Sequence, residues 1–282
     1  MIVIRSHERM ARLAARWERE GRRIGFVPTM GALHAGHGAL IRAARRESDR
    51  VIVSVFVNPL QFGPREDFAR YPRTLRRDCA AARAAGADVV FAPRPSAMFP
   101  GGFDTAVDVG AVAAGWEGRA RPGHFRGVAT VVLKLLLATR AAVLVLGQKD
   151  YQQTRVLARL VSDLGIGARL LVCPTVREPD GLALSSRNRS LTRAQRARAG
   201  ALNATLRDAS RMIRRGARSA PAVNAFMRRR LDAVPGLRVE YAAAADAATL
   251  EPVRRLGGRI ALLAAVRLGR ARLIDNVLVD VP

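Results

Sequence analysis

Ile24-Gly25-Phe26-Val27-Pro28-Thr29-Met30-Gly31-Ala32-Leu33-His34-Ala35-Gly36-His37 is the stretch on which the reading of this chain turns. The apolar run 24–27 predicts a buried strand, and the alanine- and arginine-rich run 39–46 predicts a helix. The connection between them carries two glycines and two histidines. Gly31 and Gly36 open backbone angles closed to other residues and let a ligand lie against the main chain. The start of the helix turns unpaired N–H groups and a partial positive charge outward. A strand that hands over to a helix in this way is the anatomy of an anion site. His34 and His37 stand three apart, so on a helix both rings project from one face toward the same bound group. Two plainer readings compete. One makes the pair half of a metal site, but the chain has only four histidines, and His7 and His124 sit in no ligand-like spacing, which favours phosphate. The other makes them incidental polar residues at a helix cap, which the strand–turn–helix setting argues against.

Outward from this stretch, 282 residues of which 49% are hydrophobic can bury a substantial core, as one large domain or two smaller ones. The formal charge of +25 and a pI near 11.8 point on their face to nucleic acid or an anionic membrane. Yet Lys134 and Lys149 are the only lysines; the remaining basic residues are arginines scattered among alanines, a compositional drift rather than a patch. Aromatics, at 5%, are not interleaved with the basic clusters, so nucleic-acid binding stands as a rival that is not favoured. Cys79 and Cys173 lie far apart in no metal or redox spacing and fit buried thiols in a reducing compartment. The amino terminus is charged by Arg5, before a signal-peptide segment can form, and the most apolar region, 128–147, is interrupted by Lys134 and Arg140. No membrane span and a cytoplasmic location are expected.

Val51-Ile52-Val53-Ser54-Val55-Phe56-Val57 is a nearly continuous β-branched run, which suits a strand covered on both faces of a parallel sheet. It ends in Asn58-Pro59-Leu60-Gln61, placing two amides at a strand's carboxyl end, where open α/β sheets bind ligands. Predicted helices over 6–21, 74–86, 128–139 and 151–162, with strands at 2–4, 88–92, 105–109, 142–146 and 168–173, complete an alternating region. Gly147-Gln148-Lys149-Asp150 repeats the logic of the opening, a strand that ends in glycine and turns into a helix. Lys149 reads as a phosphate contact, since a compact ammonium on a flexible stem does what a planar guanidinium does not; a solvated Lys149–Asp150 pair is the alternative. The polar run 176–188 carries Ser185-Ser186-Arg187, either a loop that lays two hydroxyls and a guanidinium over a phosphate chain or a surface linker. Helices over 192–215 and 220–234 follow, then strands near 237–241, 259–265 and 273–279. The fold class is therefore α/β: a Rossmann-like, doubly wound parallel sheet over 1–176, then a smaller α+β domain over 177–282.

Taken in order, these segments resemble the pantothenate synthetase family, within the nucleotidyltransferase superfamily marked by His-x-Gly-His. The resemblance rests on the opening stretch and on Phe56-Val57-Asn58-Pro59-Leu60-Gln61-Phe62, Tyr71-Pro72-Arg73-Thr74, Arg121-Pro122-Gly123-His124-Phe125-Arg126-Gly127-Val128, Gly147-Gln148-Lys149-Asp150, Gln152-Gln153, residues 180–188 and Leu273-Ile274-Asp275-Asn276. His-x-Gly-His alone is shared by several families; the blocks in this order are specific, and no motif position departs from the pattern.

The resemblance implies a homodimeric ligase that condenses (R)-pantoate with β-alanine at the expense of ATP, through a pantoyl-adenylate, giving pantothenate, AMP and pyrophosphate. It implies an ATP site made of Met30, Gly31, Ala32, Leu33, His34, Ala35, Gly36 and His37, together with Gly147, Gln148, Lys149 and Asp150, the last on the ribose hydroxyls. Val176, Leu184, Ser185, Ser186 and Arg187 complete it, under a second domain that covers the active site. His37 is the implied proton donor to the departing pyrophosphate, with His34, Lys149 and Arg187 as the other catalytic groups. Gln61 and Gln153 fall to pantoate, and Gln61 also to β-alanine. Mg2+ is expected on the phosphates with no protein ligand assigned, Asp78 being the one carboxylate considered. Pantoate's carboxylate is already ionised, so the first step needs electrostatic positioning rather than a base. The amine of β-alanine must lose a proton, and with no residue declaring itself as base the proton goes to solvent or to AMP's phosphate. A transferase moving AMP onto a phosphorylated acceptor would want basic residues where Gln61 and Gln153 stand, and the second domain is small for the anticodon reading of an aminoacyl-tRNA synthetase.

Overall fold

The computed structural model describes residues 1–63 and 68–282. The chain divides into two compact units, Met1–Gly147 with Val156–Pro174, and Gln148–Arg155 with Thr175–Pro282. Residues 148–155 thus pack with the second unit although they lie within the first segment of the sequence.

The first unit is built on six parallel strands: β1 (Ile2–Ile4), β2 (Ile24–Val27), β3 (Arg50–Ser54), β4 (Val89–Phe91), β5 (Val143–Gly147) and β6 (Arg169–Cys173), in the order β1-β4-β3-β2-β5-β6. Successive side chains of a strand point to opposite faces, and in the central strands β2, β3, β4 and β5 both faces are buried. Ile24, Phe26, Ile52, Phe91, Leu144 and Leu146 join one core with Met10 and Trp17 of the helix His7–Arg19 and Val128, Val132 and Leu135 of the helix His124–Thr139. Val27, Val51, Val53, Val90, Val143 and Val145 face the other way, onto Ile41 and Ala44 of the helix Ala35–Glu47 and Ala82 of the helix Leu75–Ala84. A doubly wound sheet, with helices on each face, satisfies strands apolar on both sides. Its order reverses beside β2, whose carboxyl end lies next to that of β5, the position where such sheets bind ligands.

One expected strand does not form. Residues 105–109 alternate because Val107 and Val109 turn into the core, but the Val107 N–H donates to the Thr130 hydroxyl at 3.0 Å instead of joining a ladder. Cys79 and Cys173 are half-buried, and burial pushes both thiols up from their ordinary value.

The second unit has three antiparallel strands, β7 (Leu237–Asp246), β8 (Arg259–Leu268) and β9 (Ala271–Asp280). The helices Ala201–Arg214 and Ala220–Asp232 lay Leu206, Ile213, Val223 and Met227 against Val239, Leu262, Ala264 and Leu273, and this unit has its own core. The arginine-rich helix expected over 192–215 is two, Arg193–Ala199 and Ala201–Arg214, separated at Gly200. The first turn of the helix Tyr151–Asp163 belongs here because the Tyr151 hydroxyl donates to the Ala247 carbonyl at 2.7 Å and Arg155 Nε to that of Ala248 at 3.1 Å. Among the described residues no helix is long and apolar enough to cross a membrane.

Candidate active site

One group of expected site residues, in the first unit, grows from the end of β2. The Thr29 hydroxyl donates to the Ser54 carbonyl at 2.6 Å and accepts from the Gly31 N–H at 3.1 Å, turning the chain sharply off the sheet. Gly31 takes φ +85°, a region L side chains rarely enter, and a Cβ there would stand 3.0 Å from Val55 Cγ1 and 3.1 Å from Asp78 Oδ2. Asp78, buried on the helix Leu75–Ala84, accepts from the Leu33 N–H at 2.8 Å and from the Thr74 hydroxyl. It is the strut of this loop.

His34 caps the helix Ala35–Glu47 and His37 is its third residue. His34 Nδ1 accepts from the Gly36 N–H and His37 Nδ1 from the His34 N–H, both at 3.2 Å, with the rings 4.1 Å apart. Both Nδ1 atoms therefore act as acceptors, which puts the proton of each neutral ring on Nε2. The pair is a cap and a matched set of Nε2–H donors at once. Gly36, contrary to the sequence expectation, is not at positive φ; it is small because a Cβ would meet the His34 ring at 2.9 Å.

Gln61 closes the turn Pro59–Gln61, where Asn58 Oδ1 accepts from the Leu60 N–H. Asn58 Nδ2 donates to Gln61 Oε1 at 3.1 Å and to the Gly127 carbonyl at 3.0 Å. With its oxygen so engaged, the Gln61 amide must present its NH2, which lies 3.0 Å from Met30 Sδ. The Gln61 carbonyl accepts from His124 Nδ1 at 2.9 Å and Arg121 Nη2 at 3.3 Å. A carbonyl only accepts, so neutral His124 holds its proton on Nδ1 and takes Arg121 Nη1 on Nε2, at 3.0 Å. Gly127 lets the helix His124–Thr139 come close: a Cβ there would sit 2.2 Å from the Leu60 oxygen.

A second group of expected site residues lies in the second unit. Gln148, Lys149 and Asp150 form a single 3-10 turn directly after Gly147, the last residue of β5. The Lys149 side chain is mostly buried, with Nζ 3.4 Å from Asp150 Oδ1. Gln153 is partly buried in the first turn of the helix that follows. Val176 and Leu184 meet across a tight reversal, the Leu184 N–H donating to the Val176 carbonyl at 2.9 Å. Ser185 then caps the turn Ser186–Ser190 by accepting from the Arg187 N–H at 3.2 Å. The Arg196 guanidinium clasps Glu178 at 2.5 Å and also Asp180, holding the Asp180 carboxyl below its ordinary value.

Within each unit the sequence-expected residues come together: Met30 to His37 with Gln61 in the first, Gln148 to Asp150 in one turn and Val176 with 184–187 in the second. Sequence reasoning missed the residues that hold them. The role of Asp78 as a strut, the His124–Arg121 grip on Gln61 and the Arg196 clasp join positions 16 to 63 residues apart, with no local spacing to announce them.

Against this geometry, the family described as Pantoate-beta-alanine ligase matches residues 2–278, nearly the whole chain. The chain belongs to the pantoate-beta-alanine ligase family. It is 50% identical to a pantothenate synthetase of Moorella thermoacetica over 261 residues, 93% of this chain and 92% of that one. The crystal structure of the Thermus thermophilus pantothenate synthetase matches with a TM-score of 0.92 at 45% identity, covering 98% of this chain and 99% of the other. A pantoate-beta-alanine ligase of Francisella tularensis, described as complexed with beta-gamma ATP and beta-alanine, matches with a TM-score of 0.81 at 36% identity over 99% and 97% of the two chains. The pantoate-beta-alanine ligase family is thus matched in sequence and in fold over nearly the whole chain.

Proposed function

We propose that this chain joins (R)-pantoate to β-alanine, consuming ATP and releasing pantothenate, AMP and pyrophosphate by way of a pantoyl-adenylate. The reciprocally capped His34–His37 pair at the end of β2 is the observation that carries the reading: it sets two Nε2–H donors at a helix start that already favours anions. In the first step an oxygen of pantoate's carboxylate bonds to the α-phosphorus and the bond to pyrophosphate breaks. Charge grows on the leaving group, and preorganised donors are worth most there. His37 donates a hydrogen bond from its Nε2–H to the departing pyrophosphate, the proton staying on the neutral ring; His34, Lys149 and Arg187 stabilise the phosphates, with Ser185, Ser186, Val176 and Leu184 lining the nucleotide and Asp150 on the ribose.

Gln61 and Gln153 hold pantoate, and Gln61 also meets β-alanine. The Asn58 bond orients Gln61 as a donor toward an anionic or hydroxylated substrate. A buried amide in that place disfavours a phosphorylated acceptor, which would want charge. In the second step the β-alanine nitrogen bonds to the acyl carbon and AMP leaves, the amine's proton passing to water or to AMP's phosphate. Mg2+ bound with ATP would supply neutralisation of the phosphate charge. Asp78 already accepts from the Leu33 N–H and the Thr74 hydroxyl, and the phosphates and water would serve as the ion's ligands. A cytoplasmic homodimer goes with this reading.

The test is exchange of labelled pyrophosphate into ATP without β-alanine. Exchange is expected only when pantoate is present; exchange indifferent to pantoate, or none at all, contradicts the proposal.

A further inference from the structure

Asp275 and Asn276 are consecutive on β9 between Leu273-Ile274 and Val277-Leu278, and both are buried, at 4% and 2% exposure. Two adjacent polar side chains inside an apolar strand are costly unless every donor and acceptor is met. Here they are met, and each partner lies in the same unit as Lys149 and Ser185.

Neighbouring residues of a strand face opposite ways, so the pair reaches in two directions. The Asp275 carboxylate takes Arg177 in a fork, Nη1 at 2.6 Å and Nη2 at 2.9 Å, and also accepts from Asn203 Nδ2 at 3.1 Å and from the Asn276 N–H at 2.8 Å. Arg177 Nη1 in turn donates to the Gly181 carbonyl at 3.0 Å. Asp275 therefore ties down the reversal that leads to Ser185 and Arg187. Asn276 Nδ2 donates to two successive carbonyls, Gln148 at 2.9 Å and Lys149 at 3.0 Å, while its Oδ1 accepts from Gln148 Nε2 at 3.1 Å. Only an NH2 can serve two carbonyls, so this amide has one orientation. The main chain of the Lys149 turn is held from below by a side chain 127 residues away in sequence.

We propose that Asn276, backed by the Asp275–Arg177 fork, is a positioning residue for adenylate formation: it fixes the turn from which Lys149 reaches its phosphate. The proposal rests on the ligase reading above. Asn276 touches no reacting atom; it acts through Lys149, whose flexible stem aims no better than the backbone that carries it.

Asn276→Asp keeps the shape but sets a carboxylate oxygen against two carbonyls. Pantoate-dependent pyrophosphate exchange is expected to fall about 10²-fold, the scale of a displacement of roughly 1 Å at a reacting group. The second half-reaction, release of pantothenate when β-alanine is added to preformed pantoyl-adenylate, is expected to change less than about threefold, since it leans less on Lys149. A merely structural defect would lower both alike. The double variant with Lys149→Ala is expected to be no slower than Lys149→Ala alone, because the two act as one unit. Full exchange activity in folded Asn276→Asp, equal loss in both half-reactions, or multiplied losses in the double variant would overturn the proposal. If Asn276→Asp does not fold, Asn276→Ala removes the same two donors without adding charge and is read in the same way. Wild-type protein without pantoate-dependent exchange would overturn the ligase reading and this proposal together; an active wild type with an indifferent Asn276 overturns the proposal alone.

Discussion

Lys149→Ala is expected to lower pantoate-dependent pyrophosphate exchange about 10³-fold while moving the melting temperature by no more than about 2 °C. Loss of one preorganised donor from a transition state commonly costs 10² to 10³ in rate, and Lys149 brings a full charge from a mostly buried side chain, which places it at the upper end. Its folded-state partner, Asp150, is half exposed at 3.4 Å, a pairing of the kind worth about 0–1 kcal/mol, so the fold loses little. The loss should fall on kcat more than on the KM for ATP, because charge on the leaving pyrophosphate develops during the step itself. Lys149→Arg should recover only part of the rate: the planar fork is always charged but cannot rotate about a single nitrogen as the ammonium does. A loss below tenfold in Lys149→Ala, or a parallel collapse of the melting temperature, would return Lys149 to the solvated pair that its sequence context also allowed.

The second large effect separates the two jobs of His37. Asparagine places its Oδ1 close to where histidine has Nδ1, so His37→Asn keeps the bond from the His34 N–H and loses the Nε2–H; glutamine does the reverse. His37→Asn should exchange pyrophosphate about 10²-fold more slowly with an unchanged melting temperature. His37→Gln should retain more activity but melt lower, a lost helix cap costing about 1 kcal/mol. The opposite ranking, with His37→Gln the slower variant, would mean that the ring serves the helix and not the phosphates.

The parts of the fold that could be read along the chain were those whose signal is local. Val51, Ile52 and Val53 announced a sheet buried on both faces because a nearly continuous β-branched run leaves no face for water. The β8–β9 hairpin is longer than its expected strands because Arg267 and Arg272 extend the ladder while sharing Glu240 above it, at 2.6 and 2.7 Å, a pairing invisible to periodicity. Residues 105–109 show the converse failure: the apolar alternation was real, but a helix hydroxyl took the hydrogen bond that a strand would need. In the site, His34, His37, Gln61 and Lys149 stood out because each lies at the end of a strand. Their supports did not, because Asp78, His124, Arg177 and Asn276 act across 45 to 127 residues. The arginine surplus also has a partial structural answer. Arg45, Arg155, Arg198 and Arg218 donate to the main-chain carbonyls of Gly86, Ala248, Pro235 and Ile213, where a multidonor guanidinium closes turns that water would otherwise satisfy.

The account stands on one chemical event, the bonding of pantoate's carboxylate oxygen to the α-phosphorus of ATP. Pantoate labelled with oxygen-18 in its carboxylate, turned over with β-alanine and ATP, follows that oxygen directly by mass spectrometry of the nucleotide product. The prediction is AMP carrying one labelled oxygen per turnover, the second remaining in the new amide. Unlabelled AMP, or ADP as the nucleotide product, would contradict it.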